Sequence, residues 1–231
     1  MKNLNNRVAV VTGAASGIGR ALALEMAAAG CRLALSDVNE PGLRETAEEL
    51  RARGHDVLAV ALDVSDRDGV YDFAEQVMNH FGEIHVVVNN AGVAAAGRVE
   101  RLSDEDWRWI LDINLLGVVN GCRAFTPLFK RQGSGHFVNI ASMAGLLNPP
   151  VMGSYNVTKA GVIALSETLR YELAPWGIHT TVVCPGFFQT NLTESLRSPE
   201  PGMVETVGKL LATSELSADD IAVMIRDAVA R

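Results

Sequence analysis

Tyr155 and Lys159 stand four residues apart in the run YNVTK, with Ser142 upstream at the end of a short apolar segment. Residues at i and i+4 share one helix face, so a helix over this run sets the phenol beside the amine. An unperturbed phenol titrates at about 10, and serving as a proton acceptor near neutral pH requires about 4 kcal/mol of stabilisation of the phenolate. A close ammonium supplies much of that in a low-dielectric cleft, and a serine hydroxyl can hold the reacting oxygen by hydrogen bonding. The chemistry suited to such a trio is proton exchange with a hydroxyl or carbonyl oxygen. Tyr/Lys pairs at this spacing also occur on solvated helix faces, so the pair needs a second site beside it.

That second site is TGAASGIG, directly after the first apolar run, with Gly13, Gly17 and Gly19 leading into a helical pattern. Glycines permit a tight turn and close backbone approach, and a helix that follows points free N–H groups and its positive dipole end at a pyrophosphate. Ser16, Gly17, Ile18 and Gly19 are therefore candidate phosphate contacts. Asp37 ends the next apolar run, about twenty residues on, where a carboxylate accepts hydrogen bonds from an adenosine ribose. It also repels a 2′-phosphate, and Ser16 and Val38, which flank the turn and the acid, are both uncharged. NAD is the expected cofactor, NADP the less favoured one. The competing reading makes the glycines a packing corner and Asp37 a helix cap.

The elements that must position these residues follow from the hydrophobic period. Short β-rich runs alternate with segments of helical period, the signature of β-α units around a parallel sheet. Strands are predicted over 7–11, 31–37, 57–62, 84–89, 136–141 and 179–183, buried on both faces because their apolar character is continuous. A helix over 17–29 closes at Gly30, a residue suited to a left-handed C-terminal cap; the next opens near Pro41 and ends at Gly54. The stretch 195–202, SLRSPEPG, reads as a loop, and Ser217 as the N-cap of a last helix with acidic residues in its first turn.

The chain has 231 residues, 48% of them hydrophobic and 20% charged, which suits one α/β domain. With 20 Lys and Arg against 27 Asp and Glu, its formal charge of -7 argues against nucleic acid or an anionic membrane as the main partner. No segment reaches the roughly twenty apolar residues of a membrane span, and the N-terminus lacks the apolar run of a signal peptide; a soluble, cytoplasmic protein is expected. Cys31, Cys122 and Cys184 form no zinc pattern and are expected as buried thiols. No metal site is expected, and the five histidines are assigned structural or surface places. Trp107 and Trp109 are assigned to amphipathic packing, in the core or at a subunit contact.

Taken together, TGAASGIG, NNAG at 89–92, Ser142, YNVTK at 155–159 and PGFFQT at 185–190 resemble the classical short-chain dehydrogenase/reductase family, in the family's order over nearly the whole chain. The resemblance implies a single Rossmann-type domain over 1–231 with a doubly wound parallel sheet and a substrate lid around 190–213. It implies hydride transfer between a nicotinamide cofactor and a small-molecule secondary alcohol or ketone. By it, Tyr155 is the general acid/base, Lys159 lowers its pKa and binds the nicotinamide ribose, Ser142 orients the substrate oxygen, and Asn114 supports a proton-relay water chain. Asp63 and Val64 contact the adenine; Asn90, Ala91 and Gly92 line the ribose side; Pro185, Gly186 and Thr190 embrace the nicotinamide end.

Members of the family usually carry one more strand after the last helix, and this sequence ends before it, so either a tail of the native protein is absent from the sequence or the sheet is one strand short. A homodimer or homotetramer is expected through the helices holding Trp107 and Tyr155. The residues after Ser142 and after Gly186, including Phe187 and Phe188, are largely apolar, which favours a hydrophobic substrate; Arg98 and Arg197 remain able to meet an anionic tail. Rival readings are a catalytically idle NAD-binding sensor, which has no need of Ser142, Tyr155, Lys159 and Asn114 together, and an NADPH-dependent ketoacyl reductase, which Asp37 and the acidic charge oppose. A sugar-nucleotide epimerase would need a longer chain.

Overall fold

Apolar runs too short for helices, each ended by a turn, pair side by side into one sheet in the computed structural model, which describes residues 3–186 and 195–230. The order of elements is β1 (Val8–Thr12), α1 (Gly17–Ala28), β2 (Arg32–Asp37), α2 (Glu40–Ala52), β3 (Val57–Ala61), α3 (Arg67–Phe81) and β4 (Val86–Asn89). Then come α4 (Asp104–Leu111), a π-helical turn (Asp112–Leu116), α5 (Gly117–Gln132), β5 (Gly135–Ile140), α6 (Ala144–Leu147), α7 (Gly153–Leu173), β6 (Ile178–Val183), α8 (Met203–Ala212) and α9 (Ala218–Ala230). Among the described residues the sheet has six strands in the order β3-β2-β1-β4-β5-β6, all parallel. This is the doubly wound Rossmann arrangement, and the order reverses between β1 and β4, where such sheets open a crevice beyond their strand ends.

Helices cover both faces. Leu22 and Met26 of α1, Leu43 and Leu50 of α2, and Ile221 and Ile225 of α9 pack on one side; Phe73 of α3, Phe125 and Phe129 of α5, and Val162 of α7 pack on the other. Burial of this apolar surface is the main stabilising term. The expectation of strands buried on both faces holds for β1, β2, β4 and β5, whereas β3 and β6 are largely half-buried. They are the edge strands among the described residues, and each is flanked by sheet on one side only.

Local signals act as their chemistry requires. Gly30 and Gly54 take φ of +86° and +87° at helix ends, Pro41 lies in the first turn of α2, and Ser217 accepts a hydrogen bond from the Asp220 amide while Asp220 accepts from the Ser217 amide. The thiols of Cys31 and Cys122 are buried and pushed up to about 11 and about 12 by desolvation. Cys184 is only half-buried, because it sits past the end of an edge strand rather than under a helix. No metal-binding cluster occurs among the described residues, and none of the described helices is long and apolar enough to cross a membrane.

Candidate active site

The strand ends of β1, β2 and β4 build one end of a cleft of about 1070 Å³. Gly13 turns the chain at φ +68°, and a Cβ there would lie 2.8 Å from Ala91 Cα. Thr12 organises the junction: its hydroxyl accepts from the Asn90 and Ala91 amides at 3.0 and 3.1 Å. Asn90 Nδ2 donates to the Thr12 and Gly13 carbonyls at 2.8 and 3.2 Å. Asn90 is thus turned toward the glycine turn, with its backbone on the cleft. The Thr12 clasp was not readable in the sequence, because it joins groups that meet only when β1 and β4 pair.

Ser16 is the N-cap of α1 but makes no side-chain capping bond, which leaves the first-turn N–H groups to face the cleft at Gly17 and Ile18. Gly19 lies behind the turn, where a Cβ would stand 1.9 Å from the Gly13 carbonyl oxygen. Asp37 Oδ2 accepts from the Ala15 amide at 2.9 Å and Oδ1 from the Asn39 amide at 2.8 Å. It therefore ties the glycine turn to β2, while the capping of α2 belongs to Asn39. Each oxygen keeps a second lone pair for a ligand. Asp63, whose Oδ1 accepts from Ser65, lines the same end, and Val64 lies beside it, its carbonyl accepting from Asn120 Nδ2. A glycine cradle that side chains would fill, free helix N–H groups and a carboxylate with spare lone pairs form a donor and acceptor set that fits a dinucleotide.

The other end is built by β5, α6 and α7. Tyr155 and Lys159 lie on one face of α7, both buried, with Lys159 Nζ 5.7 Å from the centre of the Tyr155 ring. Lys159 donates to the Ile140 carbonyl at the end of β5 at 2.9 Å. Burial lowers its ammonium to about 8, against a smaller opposing effect of Cys184. Burial raises the Tyr155 phenol, and the Ser142 hydroxyl partly offsets that by hydrogen bonding its ionised form. In the protein without a dinucleotide, desolvation is the larger effect on both groups, and the Ser142 hydroxyl is the side chain that favours phenolate. Ser142 also accepts from the Ala144 amide at 3.1 Å, which fixes its position at the start of α6.

Asn114 lies in the π-helical turn and is fully buried. Its side chain is locked to Val93, accepting from the amide and donating to the carbonyl at 2.8 Å each. Such wide turns leave helix carbonyls without their usual partners and recur at functional sites. Gly92 separates it from the lysine: a Cβ on Gly92 would lie 3.3 Å from Asn114 Oδ1 and 3.6 Å from Lys159 Nζ. Pro185 and Gly186 line the cleft, and the Pro185 carbonyl accepts from the Met143 amide. Thr190, Phe187 and Phe188 lie outside the described residues.

Trp109 packs against the apolar cluster that includes Ile110 and Tyr155, as assigned, and it also lines the cleft. Arg197 stacks its guanidinium on Trp109, 3.8 Å from the ring centre, and pairs with Asp106 at 3.5 Å. It is thus engaged within the protein. The loop before α7 is also shaped for the cleft: Val151, a β-branched residue, is held at φ +58° with its carbonyl accepting from the Gly97 amide.

A parallel sheet that switches direction above a glycine turn, with a buried Tyr/Lys pair across the cleft, defines a Rossmann-type oxidoreductase of the nicotinamide-dependent class. Residues 7–201 match the family model for short chain dehydrogenase, and the chain belongs to this family. It is similar to SadH of Mycobacterium tuberculosis, 43% identical over 192 residues, covering 82% of this chain and 70% of that protein. It is similar also to the 3-oxoacyl-[acyl-carrier-protein] reductase FabG of Staphylococcus aureus, 39% identical over 192 residues, 81% of this chain and 77% of that protein. Among solved structures, a short chain dehydrogenase/reductase from Burkholderia phymatum in complex with NAD superposes with a TM-score of 0.95 at 36% identity, covering 100% of this chain and 88% of that one.

Proposed function

We propose that the protein is an NAD(H)-dependent oxidoreductase interconverting a hydrophobic secondary alcohol and its ketone. The observation that carries this reading is the convergence of Ser142, Tyr155 and Lys159 at one end of a cleft whose other end is the Gly13 turn and Asp37. When bound, the nicotinamide supplies the hydride acceptor or donor and, in its oxidised form, a positive charge. In oxidation Ser142 holds the alcohol oxygen and Tyr155, as phenolate, takes its proton; in reduction Tyr155 returns a proton to the oxygen. Lys159, lowered to about 8, exchanges protons readily near neutral pH, and the Asn114 turn connects it toward solvent. Residues 195–213, including the cleft-lining Ser195 and Met203, form part of the substrate cover.

Asp37 decides the cofactor. Hydrogen bonds to a charged acceptor contribute about 1.5–3 kcal/mol, and a 2′-phosphate would meet the same carboxylate as a repelling charge. The wild type is expected to prefer NAD to NADP by about 100-fold or more in kcat/KM. Asp37→Ala should raise the KM for NAD at least about tenfold and narrow that preference. A wild type preferring NADP would refute the assignment. The similarity to FabG favours a second reading, NADPH-dependent reduction of a carrier-linked ketone, and the same cofactor comparison separates the two; Asp37 and the charge of -7 weigh for NAD.

The exposed apolar side chains of Leu116, just before α5, and Val157, on α7, support assembly into a homodimer or homotetramer, since exposed apolar groups favour association. Light scattering across a range of concentrations should give a dimer or tetramer; a monomer throughout would contradict this.

A further inference from the structure

The half of the cleft beyond Tyr155 has walls whose chemistry restricts its occupant. Ile113, Met143, Leu147, Met152 and Val207 contribute apolar side chains there. Among the described lining residues the charged groups are Lys159 at the reacting end and Asp37 and Asp63 at the far, dinucleotide end. The cation nearest this half in the strap of residues 195–200 is Arg197, and it is held by other groups. Its guanidinium lies flat on Trp109 and pairs with Asp106. Asp106 is itself fixed by the Ser103 hydroxyl, which caps α4, at 2.8 Å.

Asp106 and Trp109 are three apart on α4 and share a face, so one guanidinium spans both. The strap is pinned at the same point by main chain: the Arg197 amide donates to the Ala94 carbonyl and the Ala96 amide to the Arg197 carbonyl. Trp109 is therefore a large flat wall with one ring face held by Arg197 and its body packed against the apolar cluster that includes Tyr155. A residue held this way limits the substrate, because the ring cannot swing aside without losing its stacking on Arg197, which the Asp106 ion pair and the main-chain bonds hold in place.

We infer that Trp109, clamped by Arg197 and Asp106, is the specificity-determining residue of this site, and that the substrate body it faces is uncharged and apolar, limited in bulk by the indole. This rests on the proposed oxidoreductase reading for the identity of the site but not for its shape. An apolar wall contributes through size and desolvation, and an added methylene in such a pocket changes discrimination by about 10–200-fold. A carboxylate placed there would lose its water with no cation to receive it among the described lining residues besides Lys159 at the reacting end.

The test uses three ketones: 2-butanone, 4-phenyl-2-butanone, and the para-carboxylated analogue of the latter. Binding to the full protein with NADH present is measured by calorimetry, and turnover by NADH consumption, for wild type, Trp109→Ala, Trp109→Phe and Arg197→Gln. The wild type should bind the neutral aromatic ketone at least about tenfold more tightly than its carboxylated analogue. Trp109→Ala should shift the ratio of kcat/KM between 4-phenyl-2-butanone and 2-butanone by about tenfold or more, with the KM for NADH within about twofold of wild type; Trp109→Phe should restore most of the original ratio. Arg197→Gln should shift the ratio the same way by less.

Equal losses on both neutral ketones in Trp109→Ala, leaving the ratio unchanged, would show a structural role and overturn the inference while the oxidoreductase reading stands. Tighter binding of the carboxylated ketone would overturn it as well. Discrimination in binding without turnover would keep the inference and remove the chemical reading. Failure of the wild type to bind any of the three would overturn the inference outright.

Discussion

Tyr155→Phe is expected to lower turnover at least a hundredfold while leaving NAD binding within about twofold of wild type. The substitution removes one hydroxyl from a buried position and keeps the ring that packs beside Ala94, Leu102 and Ile110. Stability should therefore change little, and the dinucleotide end of the cleft is untouched. What is lost is the group that gives or takes the oxygen's proton, and positioned acid/base groups contribute about 10²–10⁴-fold. The pH dependence of the wild type carries the same information. Burial raises the phenol, so alcohol oxidation, which needs the deprotonated form, should climb about tenfold per pH unit below that value. Ketone reduction, which needs the protonated form, should be flat near neutrality and fall on the alkaline side. Steady-state rates in both directions against pH, with Tyr155→Phe alongside, check this; activity in the variant above about a hundredth of wild type would count against the mechanism.

Gly19→Ala should abolish cofactor binding, raising the Kd for NAD by about 100-fold or more. A Cβ at this position would lie 1.9 Å from the Gly13 carbonyl oxygen and 2.6 Å from Asn90 Nδ2. The first is main chain, so relief requires the turn itself to move. Gly13 sits against Ala91 at the same time, and its carbonyl accepts from Asn90, so displacement reaches β4 as well. Overpacking of this kind destabilises by about 1–3 kcal/mol, which a domain of this size can survive. The folded fraction is read by circular dichroism and the Kd by calorimetry on that folded protein. Wild-type affinity in a folded Gly19→Ala protein would show that the turn does not hold the pyrophosphate.

Much of this architecture was legible in the chain because its signals are local. A glycine turn between a strand and a helix, a carboxylate ending the next strand, and a Tyr/Lys pair one helical turn apart each express themselves over a few residues. The alternation of periods pointed to β-α units around a parallel sheet, and the family resemblance implied the doubly wound arrangement. Features that depend on distant segments were not legible. Thr12 clasps Asn90 and Ala91 only after β1 pairs with β4. Asp37 binds the Ala15 amide across the crevice mouth. Trp109, a wall of the cleft, is stacked on by Arg197 from far along the chain. The degree of dehydration was not legible either: sequence spacing sets the lysine beside the phenol but says nothing of how completely both are buried, and burial is the largest influence on each.

The central claim is that this cleft transfers hydride under proton control by Tyr155. Its most direct measurement supplies 4-phenyl-2-butanone with NADH deuterated at the transferring carbon and locates the label in the product. The account predicts deuterium on the carbinol carbon with the wild type, and labelled product from Tyr155→Phe formed at least a hundredfold more slowly. Product without the label, or labelled product from Tyr155→Phe at the wild-type rate, would contradict it.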